Sequence, residues 1–333
     1  MKLTAEEIRS IALGATAVRE EEDGVHLYRF TDEQFAAYPN PHISMKGTAG
    51  IKLSFKTDSR RLAMDFTVTQ TISRRYFAVE LFLDGKPADA FKNYEGEKPR
   101  ALTEEFPLGD FSCEFSLGEG EKEVALHLPW NLITVIRALT LDDGASLTPV
   151  RPKGKMLCLG DSITYGFDAS RPSLRYTALL ADHLGLEEVN KGIPGACFFP
   201  PLAKTPDAFV PKLITVVYGT NDFRLAQREE FVAATRDFFV SLCGAYPQTP
   251  IVAITPFWRK DLDAEYTCGP FSGIAETIRE STADLPTVAV LDGMAMIPHD
   301  LAYFDDKFVH PNNEGFALIF RAIKEHLDAH PLA

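Results

Sequence analysis

The chain has 333 residues, 45% hydrophobic and 24% charged, enough to bury ordinary cores without staples. Its formal charge of −13 argues against a nucleic acid or an anionic membrane as partner, because either demands a basic surface. Five scattered cysteines without a Cys-x-x-Cys pair, and an N-terminus without an apolar leader, lead us to expect a reduced, cytoplasmic protein with no structural zinc and no membrane span.

Up to Val150 short alternating apolar runs recur, at Ile51 to Phe55, Leu62 to Val68, Phe77 to Leu83 and Val124 to Leu128. Period two with frequent turns predicts antiparallel strands. Leu83-Asp84-Gly85-Lys86 and Leu141-Asp142-Asp143-Gly144 carry Asp-Gly hairpin chemistry. We therefore expect residues 1–150 to form an N-terminal antiparallel β-sandwich, jelly-roll-like.

After the linker Pro149 to Gly154 the rhythm changes. Continuous apolar runs at Met156 to Leu159, Leu213 to Tyr218, Ile251 to Thr255 and Val288 to Leu291 fit parallel strands covered on both faces. Between them Leu174, Ala178, Ala181 and Leu184 share one helical face that ends at Gly185; Phe231, Thr235, Phe238, Phe239 and Leu242 share another, ending at Gly244. Phe316, Ile319, Ile323 and Leu327 mark the last helix. Residues 154–333 thus read as an α/β domain, a doubly wound parallel sheet.

In such a sheet ligands bind outside the carboxyl ends of the strands. Four polar clusters fall there: Gly160-Asp161-Ser162, Asn190 to Gly195 after a short second strand, Gly219-Thr220-Asn221-Asp222, and His310-Pro311-Asn312. Ser162, at a strand-to-helix corner, is either a simple helix cap or a nucleophile beside unpaired helix N–H groups. His310 is either a solvated residue before a helix begun by Pro311 or the base that takes the serine proton. With the Ser162 N–H, Gly192 (backbone N–H) and Asn221 (carboxamide) supply three donors, enough for an oxyanion hole. Four accidental placements on one sheet edge are a poorer account than one acyl-transfer site.

The ordered blocks Gly160-Asp161-Ser162-Ile163-Thr164, Asn190-x-Gly192-x-x-Gly195, Gly219-x-Asn221-Asp222 and His310-Pro311 resemble those of the SGNH (GDSL) hydrolase superfamily, over about residues 154 to 330. The resemblance implies a flavodoxin-like sheet, Ser162 as nucleophile, His310 as base, and Ser162, Gly192 and Asn221 at the oxyanion. Residues 20 to 150 look similar to the sandwich that precedes the catalytic domain in some carbohydrate and acyl esterases. The family places an aspartate three residues before the histidine, where this chain has Lys307; either Asp306 reaches the imidazole through a local bulge, or a backbone carbonyl orients it.

The expected activity is a serine esterase that cleaves a small or carbohydrate O-acyl ester, acetyl foremost, without cofactor or metal. The alternatives are an acyltransferase using the same acyl-enzyme, or a carbohydrate-binding protein with an inactive hydrolase domain. Phe198, Arg224 and Trp258 are candidates for the substrate pocket, each with packing or a surface ion pair as its competing role. Homo-oligomerisation is compatible with a chain of this size and nothing in the sequence specifies it.

Overall fold

The computed structural model describes residues 1–99 and 105–332. The N-terminal half contains two short helices, each opened by a capping box: α1 (Ala5–Ile11) by Thr4 with Glu7, α2 (Asp32–Ala37) by Thr31 with Gln34. Its strands are β1 (Ala12–Leu13), β2 (Ala17–Glu21), β3 (Gly24–Tyr28), β4 (Lys52–Thr57), β5 (Arg61–Gln70) and β6 (Ala78–Leu83). They continue with β7 (Lys86–Lys92), β8 (Gly109–Ser116), β9 (Lys122–His127), β10 (Leu132–Leu141) and β11 (Thr148–Pro149).

Two antiparallel sheets result, in the orders β2-β3-β10-β5-β8 and β1-β4-β9-β6-β7, with β11 pairing β4. Between them Leu53, Phe55, Phe66, Val68, Phe77, Leu81 and Leu126 are buried, as period-two alternation requires. At Asp84 and Gly85 both φ angles are positive, 47° and 75°, the geometry of a primed hairpin turn between β6 and β7. The second expected hairpin is not one. After Asp142 to Gly144 the chain leaves one sheet for the other, because β10 pairs β3 and β5 whereas β11 pairs β4.

The second half alternates strands and helices. In order these are β12 (Lys155–Gly160), α3 (Ser162–Tyr165), α4 (Tyr176–Leu184), β13 (Glu187–Gly192), α5 (Pro200–Lys204) and β14 (Leu213–Val217). Then come α6 (Asp222–Leu225), α7 (Arg228–Ala245), β15 (Ile251–Ile254), α8 (Phe271–Thr282), β16 (Val288–Leu291) and α9 (Asn313–Ala329). The parallel order β13-β12-β14-β15-β16 is flavodoxin-like, with its switch point between β12 and β14. Met156 and Cys158 face the layer that holds α4 and α9; Leu157 and Leu159 face α7 and α8. Asn190, Lys191 and Gly192 belong to β13 itself rather than to a loop after it. Leu174 sits in a 3-10 turn before α4, and α7 runs one residue past Gly244. No helix among the described residues is long and apolar enough to cross a membrane.

The halves meet across a buried seam. Trp130, fully buried, donates its indole N–H to the Gly166 carbonyl at 2.9 Å; the Tyr76 and Tyr94 hydroxyls donate to Ala169 and Ser170 carbonyls at 3.1 and 2.6 Å. Arg29 is fully buried and has no carboxylate partner among the described residues: its guanidinium donates to the carbonyls of Gly47, Ser44, Asn190 and Gly192. Desolvation lowers it to about 10.

Candidate active site

The strand-to-helix corner depends on a glycine. A Cβ on Gly160 would lie 2.1 Å from Thr164 Oγ1 and 2.7 Å from the Val217 carbonyl, so a larger residue would push α3 off the strand end. Asp161 then caps α3, its Oδ1 accepting the Ile163 N–H at 2.9 Å. Ser162 is the first helical residue rather than the cap, so capping leaves its hydroxyl available. Asp161 is fully buried and its Oδ2 has no hydrogen-bond partner among the described residues; desolvation raises the carboxyl to about 7.

Ser162 Oγ lies 2.9 Å from His310 Nε2, 148 residues away in sequence. His310 Nδ1 lies 2.7 Å from Asp306 Oδ2. The ionised carboxylate can only accept, so it fixes the proton on Nδ1 and leaves Nε2 as acceptor for the serine O–H. Asp306 Oδ1 accepts the N–H groups of Phe308, Val309 and His310 at 2.8, 2.9 and 3.1 Å. Burial alone would raise this carboxyl; the hydrogen bond and charge of His310, with the Val309 and His310 amides, reverse that and hold it at about 2. Asp306 stands four residues before the histidine because Lys307 takes a left-handed φ of 56°, absorbing the extra residue in the turn. Asp305 points elsewhere, to Lys98 at 3.0 Å. Asn312, not Pro311, starts the last helix, its side chain accepting the Gly315 N–H.

Asn221 follows β14 and makes no side-chain cap for α6. Its Nδ2 donates to the Ala196 carbonyl at 3.0 Å, and a carboxamide has a second N–H to offer. Buried Asp222 ties the two loops together, accepting Phe198 N–H and Gly219 N–H at 3.0 Å each, while desolvation lifts it to about 6. Gly192 meets α3 so closely that a Cβ would fall 2.4 Å from the Tyr165 nitrogen. Its own N–H donates to Asn190 Oδ1 at 2.9 Å, so an oxyanion there would have to share or displace that bond. Asn190, fully buried, also donates to the Thr164 carbonyl at 2.7 Å and so locks the helix to the strand.

The three pocket candidates pack against side chains outside the relay. Phe198 faces the core, its ring 5.2 Å from Tyr218 and 5.5 Å from Phe238, because its N–H is pinned to Asp222. Trp258 is half-buried and packs on His299 and Phe304. Arg224 is exposed, 6.0 Å from the Tyr266 ring centroid. Tyr266, with Pro256, Phe271 and Met294, lines a cavity of about 720 Å³ beyond β15 and β16; Ser162, Asn221 and His310 do not line it. Three residues that the sequence reading passed over do crowd the imidazole or its neighbours: Phe167, Asp168 and Arg74. An oxygen each from Asp168 and Asp306 and a ring nitrogen of His310 lie within 4.8 Å of one another, but Arg74 and the imidazole already engage these carboxylates, so the set is a poor cation site.

A serine hydroxyl and an imidazole at the switch-point edge of a flavodoxin-like sheet, behind a β-sandwich, define an SGNH-type carboxylic ester hydrolase. Residues 158–318 match the GDSL-like lipase/acylhydrolase family, in line with the SGNH blocks read from the sequence. Its fold is similar, over 97% of this chain and 96% of the other, to a salicylyl-acyltransferase, SsfX3, from a tetracycline biosynthetic pathway, with TM-score 0.82 and 20% identity. It is also similar to a family two carbohydrate esterase from Cellvibrio japonicus (TM-score 0.66, 16% identity, 98% and 96% covered). An acetyl xylan esterase, Est2A, from the rumen bacterium Butyrivibrio proteoclasticus covers 99% of both chains at TM-score 0.62 and 15% identity. No curated protein sequence matches the chain.

Proposed function

We propose that the protein is a serine esterase that removes a short acyl group, acetyl foremost, from a small or carbohydrate ester. The observation that carries the reading is the relay Ser162 Oγ to His310 Nε2 at 2.9 Å and His310 Nδ1 to Asp306 at 2.7 Å. Ser162 Oγ attacks the ester carbonyl as its proton passes to Nε2. The oxyanion takes hydrogen bonds from the Ser162 N–H and Asn221 Nδ2, and from Gly192 once its bond to Asn190 loosens. Collapse returns the proton from Nε2 to the departing alcohol; water, activated by the same nitrogen, then frees the acid. The carbohydrate preference is suggested by the names of the two esterases of like fold.

A serine-directed organophosphate should add one phosphoryl group to Ser162 and stop hydrolysis of a nitrophenyl acetate, as mass spectrometry and a rate assay would report. Absence of both labelling and hydrolysis would refute the reading. Acetylated sugars assayed beside longer-chain esters test the acyl and alcohol preference. The overall likeness to an acyltransferase gives transfer a second place. A rising alcohol concentration that diverts product from acid to new ester would favour it, since both outcomes start from one acyl-enzyme.

A further inference from the structure

Close to His310 lies a second carboxylate that the relay does not use. Asp168 is fully buried, held at a left-handed φ of 72°, with an oxygen within 4.8 Å of a ring nitrogen of His310. Both its oxygens are engaged by one guanidinium: Arg74 Nε donates at 2.6 Å and Nη2 at 3.1 Å. Arg74 is itself buried and comes from the segment between β5 and β6, so the sandwich supplies it. The same guanidinium lies 4.6 Å from the centroid of Phe167, whose ring lies 4.3 Å from that of His310.

An unscreened buried carboxylate at this range would favour the imidazolium, and a histidine already protonated cannot accept the serine proton. Asp306 provides one negative charge at Nδ1, which the relay needs. A second would overcharge the site. Two further carboxylates flank this region: Asp161 at the Ser162 corner, and Asp305, whose N–H donates to the His310 carbonyl and whose carboxylate is paired with Lys98.

We propose that Arg74 is a positioning residue of the active site: by clamping Asp168 and backing Phe167, it screens His310 from a second carboxylate, so the sandwich sets the working pH of the base. The inference takes its catalytic meaning from the esterase reading, but its readout does not need turnover. The titration of His310 followed by ring-nitrogen NMR, alongside the acid limb of kcat/KM, separates the two. Absent turnover in the wild type would sink the esterase reading alone, since the NMR titration still judges Arg74.

Arg74→Gln should raise the His310 midpoint by about one pH unit or more, and Asp168→Asn, which leaves the arginine unpaired, should lower it by a similar amount. The double variant should titrate near the wild type, and Arg74→Lys should stay close to it. If Arg74→Gln does not fold, Asp168→Asn against the double variant decides: the double must titrate above the single. Equal midpoints in those two, or shifts of the same sign in the two single variants, would overturn the proposal.

Discussion

The loop from Gly160 to Ser170 has a front and a back that are chemically unlike. On the front Ser162 meets a histidine and a carboxylate, groups whose hydrogen bonds change with protonation. On the back Trp130, Tyr76 and Tyr94 donate to three backbone carbonyls of the same loop, and Arg29 donates to carbonyls of β13 beside it. Indole and phenol donors facing carbonyls do not titrate near neutral pH, and burial raises the Tyr76 and Tyr94 hydroxyls further. Reactivity and anchorage are thereby assigned to different chemistries, so pH can switch the front without loosening the back.

The largest loss is expected from a change at the front. Asp306→Asn keeps an oxygen for the three amides but loses the charge that orients the imidazole; kcat should drop by about 10³ to 10⁴-fold in a variant that still folds at neutral pH. The same variant should also change acid behaviour. Because the folded carboxyl is held at about 2, below its ordinary 3.8, its contribution to stability is present above that ordinary value and fades as pH falls towards 2. Urea midpoints measured down that range should lose this component in the variant.

At the back the order of effects should reverse. Arg29→Met removes the guanidinium donor from the carbonyls of Gly47, Ser44, Asn190 and Gly192, at a cost of about 3 kcal/mol or more in urea unfolding. The surviving folded protein should keep its pH–rate midpoint. Trp130→Phe is the mildest test: one buried hydrogen bond to Gly166 goes, with some packing, for about 1 to 2 kcal/mol and no change in the acid limb.

Apart from its carboxylate, whose spacing to His310 is one residue too long, the front could be read from the amino-acid sequence because its parts announce themselves locally. Gly160-Asp161-Ser162, Asn221 after an apolar run and His310 before a helix are short patterns at strand ends, and a parallel sheet gathers strand ends. The back could not, since Arg74 meets Asp168 across 94 residues and Arg29 meets Asn190 across 161. No composition or period marks such partners. Phe198 misled for a related reason: an aromatic in a loop looks like a pocket wall until the loop is seen pinned to Asp222 and turned inward. The helices α1 and α2 were legible in principle, through Thr4 with Glu7 and Thr31 with Gln34, but each is too short for periodicity to reveal.

The turn at Lys307 has a consequence for how such sites are recognised. A single residue in the left-handed region, about 1 to 2 kcal/mol dearer for a side chain than for glycine, shortens a four-residue step to the reach of a three-residue one. Spacing along a chain is a proxy for a distance in space, and one dihedral angle is enough to uncouple them. A pattern that fixes the count would discard this aspartate, while a ruler laid between its oxygen and the imidazole keeps it.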